Sequence, residues 1–302
     1  MSPEKWGNSG LSPGIRIAQA AQIACLLEVS ALKPGNVSRP HDFSDLRFED
    51  FLLSAVAIGP AMQSARRNSV GKIIWRAIRD TQRVVNTNTN LGIVLLLSPL
   101  VKASNEVFRP NVAPGSHDLG QLKRHLSDIL ANLSVEDARL AYKAIRQAQA
   151  GGLGRSAQAD VSEEPTITLL QAMELAKERD SVAREYVSGY HYTFDIAYPA
   201  LRETYLTTRD LPQAIVQTSI TLLASIPDTL IARKRGKEMA IQVSQWASEA
   251  NEKGGVLTPQ GRTALQTLDG NLRDERHTLN PGTTADLTAA AIFLHLVFNH
   301  IG

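Results

Sequence analysis

Apolar residues recur every three to four positions along almost the whole 302-residue chain, and that period constrains the fold more than any other feature. Segments at roughly 15–32, 46–67, 70–85, 91–104, 119–132, 135–149, 166–206, 210–224, 228–251, 259–274 and 284–300 carry it. β-Branched alternation over more than four or five residues is nearly absent, so strands have little to form from. Glycine and proline interrupt the pattern at Lys33-Pro34-Gly35, Gly151-Gly152-Leu153-Gly154, Glu164-Pro165, Ile226-Pro227, Lys253-Gly254-Gly255 and Asn280-Pro281-Gly282. The expected fold is all-α: a compact bundle of about ten or more helices in one domain over 1–302, with a flexible start at 1–13. Residues 107–118 read as the loosest loop, and no internal repeat suggests a solenoid.

With 43% hydrophobic and 21% charged residues, the chain can bury a sizeable core. Its net charge is only +2 and its lysines and arginines are scattered, which argues against nucleic acid as a partner. The lone cysteine, Cys25, lies in an apolar stretch, and no Cys/His cluster suggests zinc. The polar N-terminus lacks the apolar core of a secretory signal, and the longest apolar run, Leu91 to Leu97, is too short to span a bilayer. A soluble cytoplasmic protein with no membrane partner is expected; the oligomeric state is left open.

Ionisable residues on apolar helical faces are the places to look for chemistry. Glu28 follows Ala24 and Cys25 at helical spacing and precedes Ala31 and Leu32, so its carboxylate turns inward and needs a partner or a role. Lys33 is a candidate partner in a purely structural pair. Asp286 has Ala289 and Ala290 on its inner face, though an acid in a first turn also serves the helix dipole. Arg179 has Leu175, Ala176, Val182 and Ala183 around it and would need an acid or a phosphate. Glu174, Glu178 and Glu185 form an acidic stripe that a cation would relieve, unless it is simply solvated. Asp228 after Pro227 reads as a helix cap, with Arg233, Lys234 and Arg235 further on. The string Asn86-Thr87-Asn88-Thr89-Asn90-Leu91-Gly92 feeds straight into an apolar helix, whose free N–H groups make a natural anion site. Lys33-Pro34-Gly35-Asn36 is a second loop of that kind, and neither is a Walker A motif. Spacing alone supports an anion-binding helical pocket and no particular reaction.

Taken as an ordered set, five elements resemble the triphosphoribosyl-dephospho-CoA synthase family. They are Glu28 to Val37, Thr89-Asn90-Leu91-Gly92-Ile93, Glu178-Arg179-Asp180, Asp228 to Lys234, and Asn280-Pro281-Gly282-Thr283-Thr284-Ala285-Asp286-Leu287. The resemblance runs from about residue 20 to 300 and implies an all-α enzyme that joins ATP to 3′-dephospho-CoA. The acceptor's ribose 2′-hydroxyl attacks C1′ of the ATP ribose, and adenine leaves while the triphosphate is retained. It further implies Glu28 or Asp286 as proton acceptor, with Glu178 and Asp228 holding Mg²⁺. Lys33, Arg179 and Arg233 would meet phosphate oxygens, and Asn36, Asn90, Asp180, Asn280 and Thr283 would complete the substrate pocket. One departure follows the Lys-Pro-Gly element. The family usually continues Leu-Val-Asp, whereas this chain reads Asn36-Val37-Ser38-Arg39-Pro40-His41-Asp42. That difference bears on the acceptor, which in a divergent branch would belong to another coenzyme pathway such as pterin-linked one-carbon metabolism. The remaining alternatives are a nucleotide-binding protein without turnover and a structural helical protein.

Overall fold

The structure, a computed structural model, describes residues 10–43, 46–108, 118–148 and 160–300. The Gly151-Gly152-Leu153-Gly154 loop and most of the expected loose loop at 107–118 lie outside these residues. Among the described residues the fold is helical throughout, without a strand; the one β contact is an isolated bridge between Ser38 and His41.

Helix α1 (Pro13–Ser30) leads through a loop to α2 (Phe48–Ala57), α3 (Gly59–Gln63) and a short 3-10 turn (Ala65–Arg67). Then come α4 (Val70–Thr81), α5 (Leu91–Val107), α6 (Leu119–Ala131) and α7 (Val135–Gln147). The second half holds α8 (Leu169–Ala176), α9 (Ser181–Ser188), a π-helical segment (Tyr192–Ala197) and α10 (Tyr198–Thr208). It ends with α11 (Leu211–Ser225), α12 (Thr229–Arg235), α13 (Lys237–Glu252), α14 (Pro259–Leu272) and α15 (Gly282–His300).

Helix α5 is apolar nearly all round and is buried along almost its whole length, as a central helix must be. Helices α1 and α15 pack against it and against each other. The alanines at 18, 20, 21 and 24 on α1, with those at 289, 290 and 291 on α15, are buried; small side chains let helix axes approach closely. A second apolar cluster, including Ile220, Val243 and Leu268, joins α11 to α13 and α14.

Two long periodic segments, 166–206 and 228–251, are broken in ways that matter for the site, and a bend between 210–224 and 228–251 matters as well. The 166–206 segment ends a helix at Ala176 and restarts at Ser181, because the Asp180 carboxylate accepts hydrogen bonds from Val182 N and Ala183 N and caps a new helix. It breaks again at Gly189 and Tyr190, both with left-handed φ, of 68° and 66°. The 210–251 region bends by 58° between α11 and α12 at Ile226-Pro227-Asp228, which swings the start of α12 toward the start of α15. It breaks once more at Gly236, where φ is 91°. No single helix among the described residues is long and apolar enough to cross a membrane.

Candidate active site

Several helix ends converge at one end of the bundle: the C-terminus of α1 and the N-termini of α5, α9, α12 and α15. Asp228 is the hub that joins two of them. Its Oδ1 accepts from Leu230 N and Ile231 N, capping α12, while its Oδ2 accepts from Thr284 N at 2.7 Å and Thr284 Oγ1 at 2.8 Å. Burial pushes the Asp228 carboxyl above its ordinary value, and these four donors pull against that shift. A hydroxyl relay continues the junction: Thr229 donates to Thr283 Oγ1 at 3.1 Å, and Ser181 N donates to Thr229 Oγ1 at 3.2 Å.

At the end of α1, Lys33 Nζ lies 2.8 Å from Glu28 Oε1, with both side chains buried. Lys33 also donates to the backbone carbonyls of Glu28 and Ala31. Its three N–H groups are thus spent on the last turn of its own helix, and the structural Glu28–Lys33 pair forms. No donor remains on this ammonium for the phosphate contact expected of it. Beyond it, Gly35 with φ 75° turns the loop back, and its N–H donates to Asp269 Oδ1 at 2.8 Å. Asn36 Nδ2 donates to Asn280 Oδ1 at 2.7 Å, and Arg273 holds both Asp269 and the Asn36 carbonyl. The Lys33 loop and the Asn280 turn are thereby locked together, though 244 residues separate Asn36 from Asn280.

Asp286 differs from its neighbours. No donor among the described residues hydrogen-bonds its carboxylate. Burial, together with the negative charges of Glu28, Asp180 and Asp228, holds it well above the ordinary carboxylate range, and Arg233 pulls the other way. The carboxylate lies on the first turn of α5: a Cβ added to Gly92 would stand 2.0 Å from Asp286 Oδ2. Only glycine permits that approach. Asn90, the residue before α5, gives no side-chain cap; its Nδ2 donates instead to Thr81 Oγ1 at 3.2 Å. Leu91 N, the first of α5, donates to Asn88 Oδ1 at 3.2 Å. The start of α5 is therefore a partly open helix N-terminus, with the N–H groups of its first turn beyond Leu91 beside an uncommitted carboxylate.

Arg233 supplies the cation. Its Nη1 meets Asp180 Oδ2 at 2.8 Å, and its buried Nε has no partner. Asn36 Oδ1, Ser38 Oγ and Ser181 Oγ are likewise buried without partners on the segments just described. Unsatisfied buried polar atoms are costly and uncommon in native proteins, and four of the eight such side-chain atoms among the described residues lie on the segments that converge on Asp286.

The structure thus brings together Glu28, Asp180, Asp228, Asp286 and Arg233, with Lys33, Asn36, Asn90, Asn280 and Thr283 in the surrounding shell. Two expected residues are placed otherwise. Arg179 does not lie on a buried face: α8 ends at Ala176, and Arg179 sits exposed in the turn before α9. Glu178, in the same turn, has an 84% exposed side chain 3.9 Å from Arg184. The acidic stripe of Glu174, Glu178 and Glu185 dissolves for the same reason, since no continuous helix carries it. Glu174 pairs with Lys177 on the surface, while Glu185 is buried and pushed up by burial to about 8. Ser181, Thr229 and Thr284 went unnoticed in sequence, because hydroxyl residues at helix starts look like ordinary caps. Gly92, in the first turn of an otherwise apolar helix, was the signal for a close approach.

Similarity to known proteins bears on the fold and the family. A crystal structure from Archaeoglobus fulgidus, described as a triphosphoribosyl-dephospho-CoA synthase, superposes with a TM-score of 0.62 at 27% identity, covering 82% of this chain and 99% of that one. A 2-(5″-triphosphoribosyl)-3′-dephosphocoenzyme-A synthase from Escherichia fergusonii is 32% identical over 110 residues, which is 36% of each chain. The corresponding protein of Klebsiella pneumoniae is 29% identical over 109 residues, 36% of this chain and 38% of its own. The matched stretch therefore spans little more than a third of those curated relatives. The ATP:dephospho-CoA triphosphoribosyl transferase (CitG) profile, in contrast, matches residues 15–302. The chain belongs to the ATP:dephospho-CoA triphosphoribosyl transferase family.

Proposed function

We propose that this protein transfers the triphosphoribosyl group of ATP to the ribose 2′-hydroxyl of 3′-dephospho-CoA and releases adenine. The observation that carries this reading is Asp286. It is a carboxylate without a donor, raised above its ordinary range, beside the partly open start of α5 and the half-committed Arg233. The family assignment and the fold likeness to the Archaeoglobus protein support it independently.

In this reading, an O2′–C1′ bond forms as the C1′–N9 bond breaks. Asp286 takes the proton of the acceptor hydroxyl, a role its raised affinity for protons suits, and the departing adenine keeps the C–N electron pair and gains one proton, so the step balances. The N–H groups at the start of α5 and the free Nε of Arg233 bind phosphate oxygens. Asp228 stays a structural hub, since its four donors leave no oxygen free for metal.

The residues present fit a divalent cation, though not at the positions first expected. The negative charges of Glu28, Asp180 and Asp228 each act on Asp286, so the surroundings of its carboxylate favour added positive charge. Among the described residues, no group of three or more His, Cys, Asp or Glu side chains is arranged to hold a metal alone. Glu28, through the oxygen that does not face Lys33, would hold Mg²⁺ brought in with the nucleotide, which leaves Asp286 free to take the acceptor proton. The ion would supply charge neutralisation of the triphosphate. Such a substrate places the enzyme in the cytoplasm.

Incubation with ATP, Mg²⁺ and 3′-dephospho-CoA, followed by chromatography and mass spectrometry, tests the proposal. Adenine should appear together with a dephospho-CoA species heavier by one triphosphoribosyl unit. ATP consumed with release of phosphate and no adenine, or no turnover by the folded protein, would refute it.

A further inference from the structure

The opposite end of the bundle carries a second polar concavity with no part in the chemistry above. Helix α1 runs between the two ends. Gly14 borders this cleft and Glu28 the first site, fourteen residues apart on the helix, about 21 Å at 1.5 Å per residue. The cleft measures about 560 Å³, within the range of pockets that hold small ligands.

Its charge is one-sided. Arg66 and Arg67, both exposed, and Arg76 line it, and among the described residues no acidic side chain does. Among the described residues, none of the three pairs with a carboxylate; the one side-chain bond they make is Arg76 Nη1 to Ser64 Oγ at 3.4 Å. The 3-10 turn carrying Arg66 and Arg67 is pinned in place. Lys102 Nζ, on α5, donates to the carbonyls of Asn68 at 2.9 Å and Ala65 at 3.3 Å. A lysine is thus spent on fixing two arginines, where an acid would have relieved them. Beside them Asn105, 6% exposed, borders the cleft, and its Oδ1 has no bond from the described residues. Phe108, Pro60 and Ile15 add an apolar wall.

Guanidinium groups held close without an acid repel one another and are stabilised by an anion. Two from one fixed turn and a third from the facing helix α4 present forked donors across more than one phosphate. We infer that this cleft is a second binding site, for a nucleotide-sized ligand carrying two or more phosphates, separate from the site around Asp286.

Calorimetric titration of the full chain with inorganic pyrophosphate at low salt tests the inference. It needs no turnover, so failure of adenine release would leave it standing. The wild type should show a binding event that persists in Arg233→Ala. In the Arg66→Ala/Arg67→Ala double variant that event should weaken about a hundredfold, roughly tenfold for each charge-assisted contact. Arg76→Gln should weaken it as well, which keeps the test decisive if the double variant folds poorly by circular dichroism. Adenine release should be unchanged in the double variant. Absence of pyrophosphate binding in the wild type, undiminished binding in the folded arginine variants, or loss of all binding in Arg233→Ala would each overturn the inference.

Discussion

Asp286, half-buried, and Asp228, buried, show how differently two inward-turned acids at one junction are used. Asp228 accepts four hydrogen bonds and organises two helices, whereas Asp286 accepts none from the described residues. A group whose folded pKa is raised favours the fold below its unfolded value and loses that contribution as pH rises through the folded value. For Asp286 the lower bound is 3.8. Asp286→Asn should therefore melt higher than the wild type at pH 8, with the difference shrinking toward zero below pH 3.8. The same variant should lose about two to four orders of magnitude in adenine release. Thermal melts across pH, paired with the chromatographic assay, check both; a variant that is less stable at pH 8 and fully active would contradict the role. Spacing identified Asp286 as inward-facing but could not separate it from Asp228. The difference lies in Thr284 and Gly92, which approach these acids from other parts of the chain.

At the scale of elements, helix ends were legible and helix continuity was not. Asp228 and Asn90 sit at helix starts as the sequence suggests, whereas Asp180 caps a helix that the sequence did not mark. The period across 166–206 suggested one helix, because apolar periodicity does not register a local cap competing with propagation. The break at Asp180 is what exposes Glu178 and Arg179 and turns the Asp180 carboxylate toward Arg233. Two substitutions test how elements position the site. Lys33→Met would leave Glu28 buried without its cation and should cost about 3–5 kcal/mol of stability in a urea melt. Gly92→Ala improves intrinsic helix propensity, yet its Cβ would stand 2.0 Å from Asp286 Oδ2. Overpacking of about 1–3 kcal/mol should result, with adenine release falling alongside. If Gly92→Ala is stabilised and active, Asp286 does not lie against α5.

For the whole molecule, the all-helical class was legible because the apolar period encodes it directly, while the grouping of distant motifs came from their resemblance to a family as an ordered set. The unpaired arginines at the far end were not legible, since Arg66 and Arg67 read as an ordinary solvated pair until the fold sets Arg76 opposite them. The two apolar clusters share α11, which gives Ile215 and Leu222 to one and Ile220 and Leu223 to the other. We therefore expect one cooperative thermal transition, with calorimetric and van't Hoff enthalpies agreeing; two resolved transitions would divide the chain into independent units. The central claim is that the Asp286 end of the bundle holds the triphosphate of ATP. Titration of Mg·ATP into the wild type and Arg233→Ala tests it most directly. The account predicts affinity at least about tenfold weaker in the variant, the worth of one charge-assisted phosphate contact. Equal affinity in a folded Arg233→Ala protein would contradict it.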